Sequence, residues 1–381
     1  MNEANDQKRV SRLPLGLLGM LVLIVLTERY IGRRNDLSTM VAIEWRMTGS
    51  SVKWAASKAT IACFGTSLTR TGVSPKVLEE KLGKPAFNFA TSGGLPFATY
   101  RMFRQVLECG GKPEAVVVDF KWSSLMNEYT WNERVLPEVA GLRECAELAW
   151  TARDPLFFGR VTLVTMLQSY RCREEIRSNV LAAIQGKEPV RNHQHSIVKS
   201  NALANNGAIH APRDPKFKGE IDPNETSIYP KDWKCHPIAE IYVNKFLELA
   251  ASRNIKVFWL IPPVFYGTQA ERERIGADQK YTEFVKATVA KYPGVTVVDG
   301  RHSEFPIESF YDWTHLNRDG AVAQTALLAD AIKQELDPTR ANGQHWVSLA
   351  KYKPSPNASR ILDTSDSFAL FGSERAAKTR R

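Results

Sequence analysis

Hydrophobic positions along the chain fall into three regimes. Residues 13–26 (LPLGLLGMLVLIVL) are apolar without interruption. From residue 60 onward, short apolar runs alternate with stretches of helical period. Runs at 60–64, 86–90, 115–120, 255–261 and 295–298 are too short for helices, are rich in Val, Ile and Phe, and stop at Gly, Pro or polar residues, so they predict five strands. Helices are predicted at 74–82, 96–109, 238–252, 271–291 and 319–336, and a juxtamembrane helix within 35–58. Strands alternating with helices mean a parallel sheet covered on both faces, whose ligands sit outside the carboxyl ends of the strands.

The rhythm breaks twice. Residues 125–184 carry apolar helical stretches, clearest at 161–167, and 185–236 is polar and rich in Asn, Pro, Gly and Lys, which predicts a surface loop. Together, 125–236 reads as an insertion forming a lid over the sheet's carboxyl edge. The resulting division is a tail and anchor at 1–34, a juxtamembrane segment at 35–58, an α/β domain at 59–336, and a polar, disordered tail at 337–381.

The apolar run at 13–26 follows Lys8, Arg9 and Arg12 and precedes Thr27-Glu28-Arg29-Tyr30. It is short for a full span and has no small-x-small cleavage site after it. Arg29 can snorkel and Tyr30 can sit at an interface, which favours an uncleaved transmembrane signal anchor over a cleaved signal or a buried N-terminal helix. Such an anchor predicts one helix over 13–31 standing apart from the body, with the body outside the cytoplasm.

Composition adds little. The 51 Lys and Arg against 41 Asp and Glu leave a net charge of +10, spread thinly and without a nucleic-acid motif, so no nucleic-acid partner is expected. Five widely spaced cysteines, with no C-x-x-C pair, argue against a disulfide scaffold or a structural zinc site. The His193-x-His195 pair reads as solvated, so neither metal nor cofactor is expected. The S-x-x-K matches beginning at Ser50 and Ser196 have no companion motif and read as chance.

Three segments carry candidate chemistry. Gly65-Thr66-Ser67-Leu68-Thr69 leaves the first strand, where a serine is exposed at the sheet edge beside free amides. Phe87-Asn88-Phe89-Ala90-Thr91-Ser92-Gly93-Gly94 leaves the second, and its glycines let backbone N–H groups approach a ligand. Tyr311-Asp312-Trp313-Thr314-His315-Leu316-Asn317-Arg318-Asp319-Gly320-Ala321 precedes the last helix, with Asp three residues before His so that a carboxylate can orient the imidazole.

In that chain order, the three segments resemble the SGNH (GDSL-like) hydrolase superfamily over roughly residues 61–336, the insertion unmatched. The resemblance implies a three-layer α/β/α flavodoxin-like fold and O-acyl ester chemistry. It makes Ser67 the nucleophile, His315 the base and Asp312 its orienting partner, with the amides of Ser67 and Gly93 as the oxyanion hole. Two departures stand out. Thr66 replaces the usual Asp, and the third strand leads into Asp119-Phe120-Lys121-Trp122 where an Asn donor is usual. Asn127 is a late substitute, and Trp122, with Tyr129 and Trp131, could stack on sugar rings. The combination is most similar to membrane-anchored or exported members that acylate cell-surface polysaccharides. It implies a glycan or other O-acyl ester substrate, the membrane as partner through the N-terminal helix, and a membrane acyl donor as a further partner. A general esterase or lipase, and a silent scaffold or glycan-binding subunit, are the competing expectations.

Overall fold

Alternate side chains of each strand divide between two cores. In the computed structural model, Ala62, Phe64, Val116, Val118, Val257, Trp259, Val295 and Val297 pack with one set of helices. Their neighbours Ile61, Cys63, Ala115, Val117, Phe258, Leu260 and Val298 pack with another. Strands apolar at every position are what a parallel sheet covered on both faces requires.

The structure describes residues 15–34, 37–187, 191–219, 232–337, 345–356 and 358–370. In chain order, the first half contains α1 (Leu15–Gly32), α2 (Met40–Ala55), β1 (Ile61–Phe64), α3 (Ser67–Gly72), α4 (Pro75–Leu82), β2 (Ala86–Asn88), α5 (Pro96–Glu108) and β3 (Ala115–Val118). α6 (Trp122–Met126) leads into the insertion, which holds α7 (Leu142–Ala152), α8 (Pro155–Met166), α9 (Gln168–Arg171), α10 (Arg173–Ile184) and α11 (Arg191–Ala204). The remainder is α12 (Pro237–Ser252), β4 (Lys256–Ile261), α13 (Tyr266–Arg274), α14 (Ala277–Val289), β5 (Val295–Asp299), α15 (Arg318–Leu336) and β6 (Trp346–Ser348).

All strands are parallel, in the order β2-β1-β3-β4-β5-β6. α2, α5, α12 and α14 cover one face, and α4 and α15 the other. Because β2 lies on one side of β1 and β3 on the other, chain direction across the sheet reverses there. A crevice opens at such a point, outside the carboxyl ends of β1 and β3.

Several expectations need correction. The sheet has six strands, not five: β6 pairs with β5, with Val297 opposite Trp346. It lies in the segment read as a disordered tail, and Leu349, Ile361 and Asp363 beyond it are buried. The apolar content of 346–349 is too brief for a period to register. The helix expected over 271–291 is two, broken where Gly276 takes a φ of 74°. The polar segment 185–236 contains α11, with Ala202, Ile209 and His210 buried. The His193 side chain lies outside the described residues.

The transmembrane anchor is also corrected. α1 is one helix whose apolar residues 16–26 stand clear of the body with their side chains exposed, while its last turns meet α9 through Glu28. Yet its described apolar run, from residue 15 to 26, covers about 18 Å at 1.5 Å per residue, against roughly 30 Å of hydrocarbon. Among the described residues, no helix is long and apolar enough to cross a membrane.

One backbone position fixes the start of the site. Gly65 has a φ of 123°, and a Cβ there would lie 2.3 Å from Asp119 Oδ2 and 2.7 Å from the Asp119 carbonyl oxygen. Gly65→Ala is therefore expected to destabilise the protein by about 2–4 kcal/mol, or to prevent folding. Gly83→Ala, at a φ of 65° with open space around it, should cost only about 1 kcal/mol. Urea unfolding midpoints compare the two, and equal losses would contradict the close approach at Gly65.

Candidate active site

The loop after β1 is shaped by one buried carboxylate. Asp119, at the end of β3, accepts from the Thr66 amide (2.8 Å), the Thr66 hydroxyl (2.7 Å) and the Thr69 amide (3.1 Å). Thr66 is also the N-cap of α3, its hydroxyl accepting from the Leu68 amide at 3.2 Å. Ser67 is thereby placed at the first position of α3, at the carboxyl edge of β1. Burial pushes the Asp119 carboxyl above the usual carboxylate range, and the Thr66 and Thr69 donors pull it back.

The last segment folds into a closed turn. An isolated antiparallel bridge joins Phe310 to Leu316, and the Tyr311 amide donates to the His315 carbonyl at 2.8 Å. Asp312 Oδ1 accepts from the amides of Thr314 and His315, both at 2.8 Å. Asn317 caps α15 by accepting from the Gly320 amide at 3.0 Å. Gly320 leaves room for Ser309, whose carbonyl oxygen would lie 2.3 Å from a Cβ. The Asn and Gly of this motif are thus scaffolding for the Asp and His.

These two turns meet. His315 Nε2 lies 2.8 Å from Ser67 Oγ, and His315 Nδ1 lies 2.8 Å from Asp312 Oδ2. With Nδ1–H donating to the carboxylate, Nε2 is the acceptor for the serine proton. Burial would raise the Asp312 pKa, but the hydrogen bond and charge of His315, with the two amide donors, outweigh it and hold the carboxyl down at about 2.

The glycine turn after β2 lies alongside. Asn88 accepts from the Ala90 amide and donates to the Thr69 and Val73 carbonyls of the α3 segment. The Thr91 amide donates to the Gly65 carbonyl at 3.0 Å, and Gly93 has a φ of 67°. Among the described residues, the amides of Ser67 and Gly93 have no protein acceptor, as an oxyanion hole requires.

Other expected site residues fare differently. Trp122 is buried, its ring under the Arg272 guanidinium at 3.9 Å, so it is core and not a platform for a sugar. Asn127 ends α6 and is half-buried beside Tyr129 and Asn132. Tyr129 packs edge-on against Phe157 and donates to Asp154. Among these three aromatics, only Trp131 is largely exposed. Among the described residues, no cluster of His, Cys, Asp and Glu is arranged for a metal ion.

The structure adds residues that sequence reasoning missed. Asn132 donates to the Gly93 carbonyl and accepts from the Leu95 amide, both at 3.0 Å, and so grips the glycine turn with both ends of its amide. From α2, Trp45 Nε1 donates to the Ser92 carbonyl at 2.8 Å, and Glu44 accepts from the Ser92 hydroxyl. Buried Arg70, one turn after Ser67, donates to Thr48 of α2 (2.8 Å) and to the Ala90 carbonyl (3.1 Å). Burial pushes the Glu44 carboxyl up, opposed by Arg70, the Ser92 hydroxyl and His315. Only Asp119 had a sequence signal, an acid closing a wholly apolar strand.

Two pH-dependent outcomes follow from opposite shifts. The Asp312 pKa is depressed, so its contribution to stability is complete above the unfolded value near 3.8 and is lost as pH falls towards 2. Asp312→Asn should therefore cost stability at pH 7 and progressively less below pH 4. A penalty independent of pH would exclude the ionic contact as its source. The Glu44 pKa is raised, so the native state holds its proton more tightly and stability declines as pH rises above 4.5 towards the native value. Glu44→Gln should flatten that decline in urea melts at successive pH values, and an unaltered slope would assign it elsewhere. In comparisons with known proteins, no family model matches the chain, and no curated protein does.

Proposed function

We propose that the protein is a serine enzyme of the SGNH type that transfers or removes an O-acyl group, acetyl being the expected one, on a cell-surface glycan. The observation that carries this reading is the unbroken Ser67–His315–Asp312 relay at the crevice beside β1. Strand order is consistent with it, since the first five strands follow the flavodoxin-like order 2-1-3-4-5. We place the domain at a membrane through α1, outside the cytoplasm, with a membrane acyl donor as partner. The apolar and exposed circumference of α1 supports the attachment.

In this mechanism Ser67 Oγ attacks the acyl carbonyl carbon while its proton passes to His315 Nε2. Asp312 stabilises the resulting imidazolium, and the amides of Ser67 and Gly93 receive the oxyanion. Collapse breaks the bond to the leaving alcohol, which takes the proton back from His315. An acyl ester remains on Ser67. A sugar hydroxyl or water, deprotonated by His315, then attacks that ester and frees the serine.

The relay's assembly favours an enzyme over a silent scaffold. Transfer is favoured over hydrolysis because an Asn donor after β3 is absent, while an insertion beside the crevice can position an acceptor through remote contacts. A serine-reactive fluorophosphonate should label Ser67 in the full-length protein and fail to label Ser67→Ala. Turnover of p-nitrophenyl acetate should be weak, fall on the order of a thousandfold or more in Ser67→Ala and His315→Ala, and quicken when an acetyl-accepting oligosaccharide is added. Fast release in water, indifferent to any acceptor, would indicate a general esterase. Activity unchanged in Ser67→Ala would remove the serine from the mechanism.

A further inference from the structure

The insertion carries a surface that its own fold leaves unpartnered. α8 has the sequence PLFFGRVTLVTM, with Arg160 as its single charged residue. Its inner face, Phe157, Val161 and Val164, is buried. Its outer face should then be polar, as on an ordinary surface helix. Instead Leu156 is 75% exposed, Leu163 49% and Met166 65%. These outer residues recur at positions i, i+7 and i+10, so they form one stripe. Ile184, at the end of α10, is 76% exposed, and Trp150, just before α8, is 87% exposed. A helix apolar on both faces is suited to a second apolar medium on its outer side.

The stripe runs to the root of α1. The last turns of α1 dock on α9, which follows α8 directly: Ser169 donates its amide to Glu28 at 2.8 Å and its hydroxyl to the same carboxylate. A Cβ on Gly32 would lie 3.2 Å from Gln168 Cγ. Cations fringe this region. Arg29 and Arg33 on and after α1, Arg153 before α8 and Arg177 on α10 are exposed and have no carboxylate partner among the described residues. An apolar stripe, an aromatic at its edge and unpaired arginines around it match the interfacial zone of an anionic bilayer, where acyl chains meet phosphate headgroups.

We infer that the outer stripe of α8 is a second membrane-contact surface that lays the insertion on the bilayer beside α1. The inference rests on the proposed membrane attachment of α1 and goes beyond it. A single short helix would leave the domain free to swivel, whereas two separated contacts fix which way the domain faces. The described apolar length of α1 matches roughly one leaflet, about half of a 30 Å core, so a surface contact close to its root is sterically compatible.

The test uses the full-length protein in phosphatidylethanolamine–phosphatidylglycerol vesicles. Cys109→Ser removes the exposed thiol, the other four cysteines being buried. Single cysteines are then placed at Leu23, Met166 and Lys256 and labelled with a nitroxide. Lys256 is exposed at the amino end of β4, across the sheet from the crevice, and serves as the aqueous reference. Accessibility to oxygen and to a water-soluble nickel chelate is read by power saturation. Leu23 and Met166 should both favour oxygen, with nickel accessibility several-fold below that at Lys256. Met166 as open to nickel as Lys256, with Leu23 in lipid, would overturn the inference and leave α1 attached. Leu23 open to nickel would overturn the membrane attachment itself. Met166 closed to both reagents would mean that protein covers the stripe, a second copy included, and would overturn the bilayer as its occupant. As an independent check, Leu163→Glu with Met166→Glu, at exposed positions the fold tolerates, should lower vesicle binding several-fold without altering Ser67 labelling in solution. Unchanged binding would count against the contact.

Discussion

The candidate site edge depends on a carboxylate buried where the adjacent strands β1 and β3 end. Asp119 closes β3 and binds the turn after β1 through two amides and a hydroxyl, in a gap that stays open only because residue 65 has no side chain. Burying a carboxylate is expensive unless its lone pairs are met. Each hydrogen bond to a charged group returns about 1.5–3 kcal/mol. Three donors return part of that cost, and only at one geometry of the turn, which places Ser67 on the first turn of α3. Thr66, a departure from the pattern the chain resembles, is one of the donors, so the acid and its hydroxyl partner fit each other across the two strands.

α2 ties the rest of the crevice together. Trp45 and Glu44 both bind Ser92, next to the Gly93 amide, while Thr48 binds Arg70 on the helix that carries Ser67. Both walls of the proposed oxyanion hole are therefore held by one helix, and that helix follows α1 in the chain. Arg46 of α2 pairs with Glu138 of the insertion at 2.9 Å, and Glu138 also pairs with Arg171. Contacts made by α1 and the insertion thus lead, through rigid elements, to the backbone groups that would receive the oxyanion. An oxyanion hole is effective because its donors are fixed before charge develops. A helix packed against both walls supplies that fixity without a donor of its own.

The insertion has a comparable double use. Asn132 reaches back to hold the Gly93–Leu95 turn, and Trp122 is spent on the core beneath Arg272. Outward, the same insertion shows apolar side chains to the surroundings. One side of the insertion thus holds the glycine turn, and the other presents the apolar stripe of α8.

Local chemistry settled the parts of this protein that a sequence can specify by itself. Apolar runs too short for helices marked five of the six strands, because strands buried on both faces must be apolar at every position. The spacing of Asp312 and His315 brought carboxylate to imidazole within one turn, since that contact spans only three residues. Gly93 was legible as a turn whose backbone amide can approach a ligand closely, while the need for glycine at 65 came from the packing of Asp119. What the sequence could not decide were contacts between residues far apart in the chain. The meeting of Ser67 with His315, 248 positions away, follows from the strand order. Asn132, Glu44, Trp45 and Arg70 acquire roles only when α2 and the insertion pack on the crevice, and Trp122 loses its role for the same reason. β6 escaped notice because three residues, two half-buried and one exposed, have no period, and its place depends on the edge that β5 offers. Local periodicity fixes which elements form, while the pairing of distant backbone and buried polar groups fixes what they do.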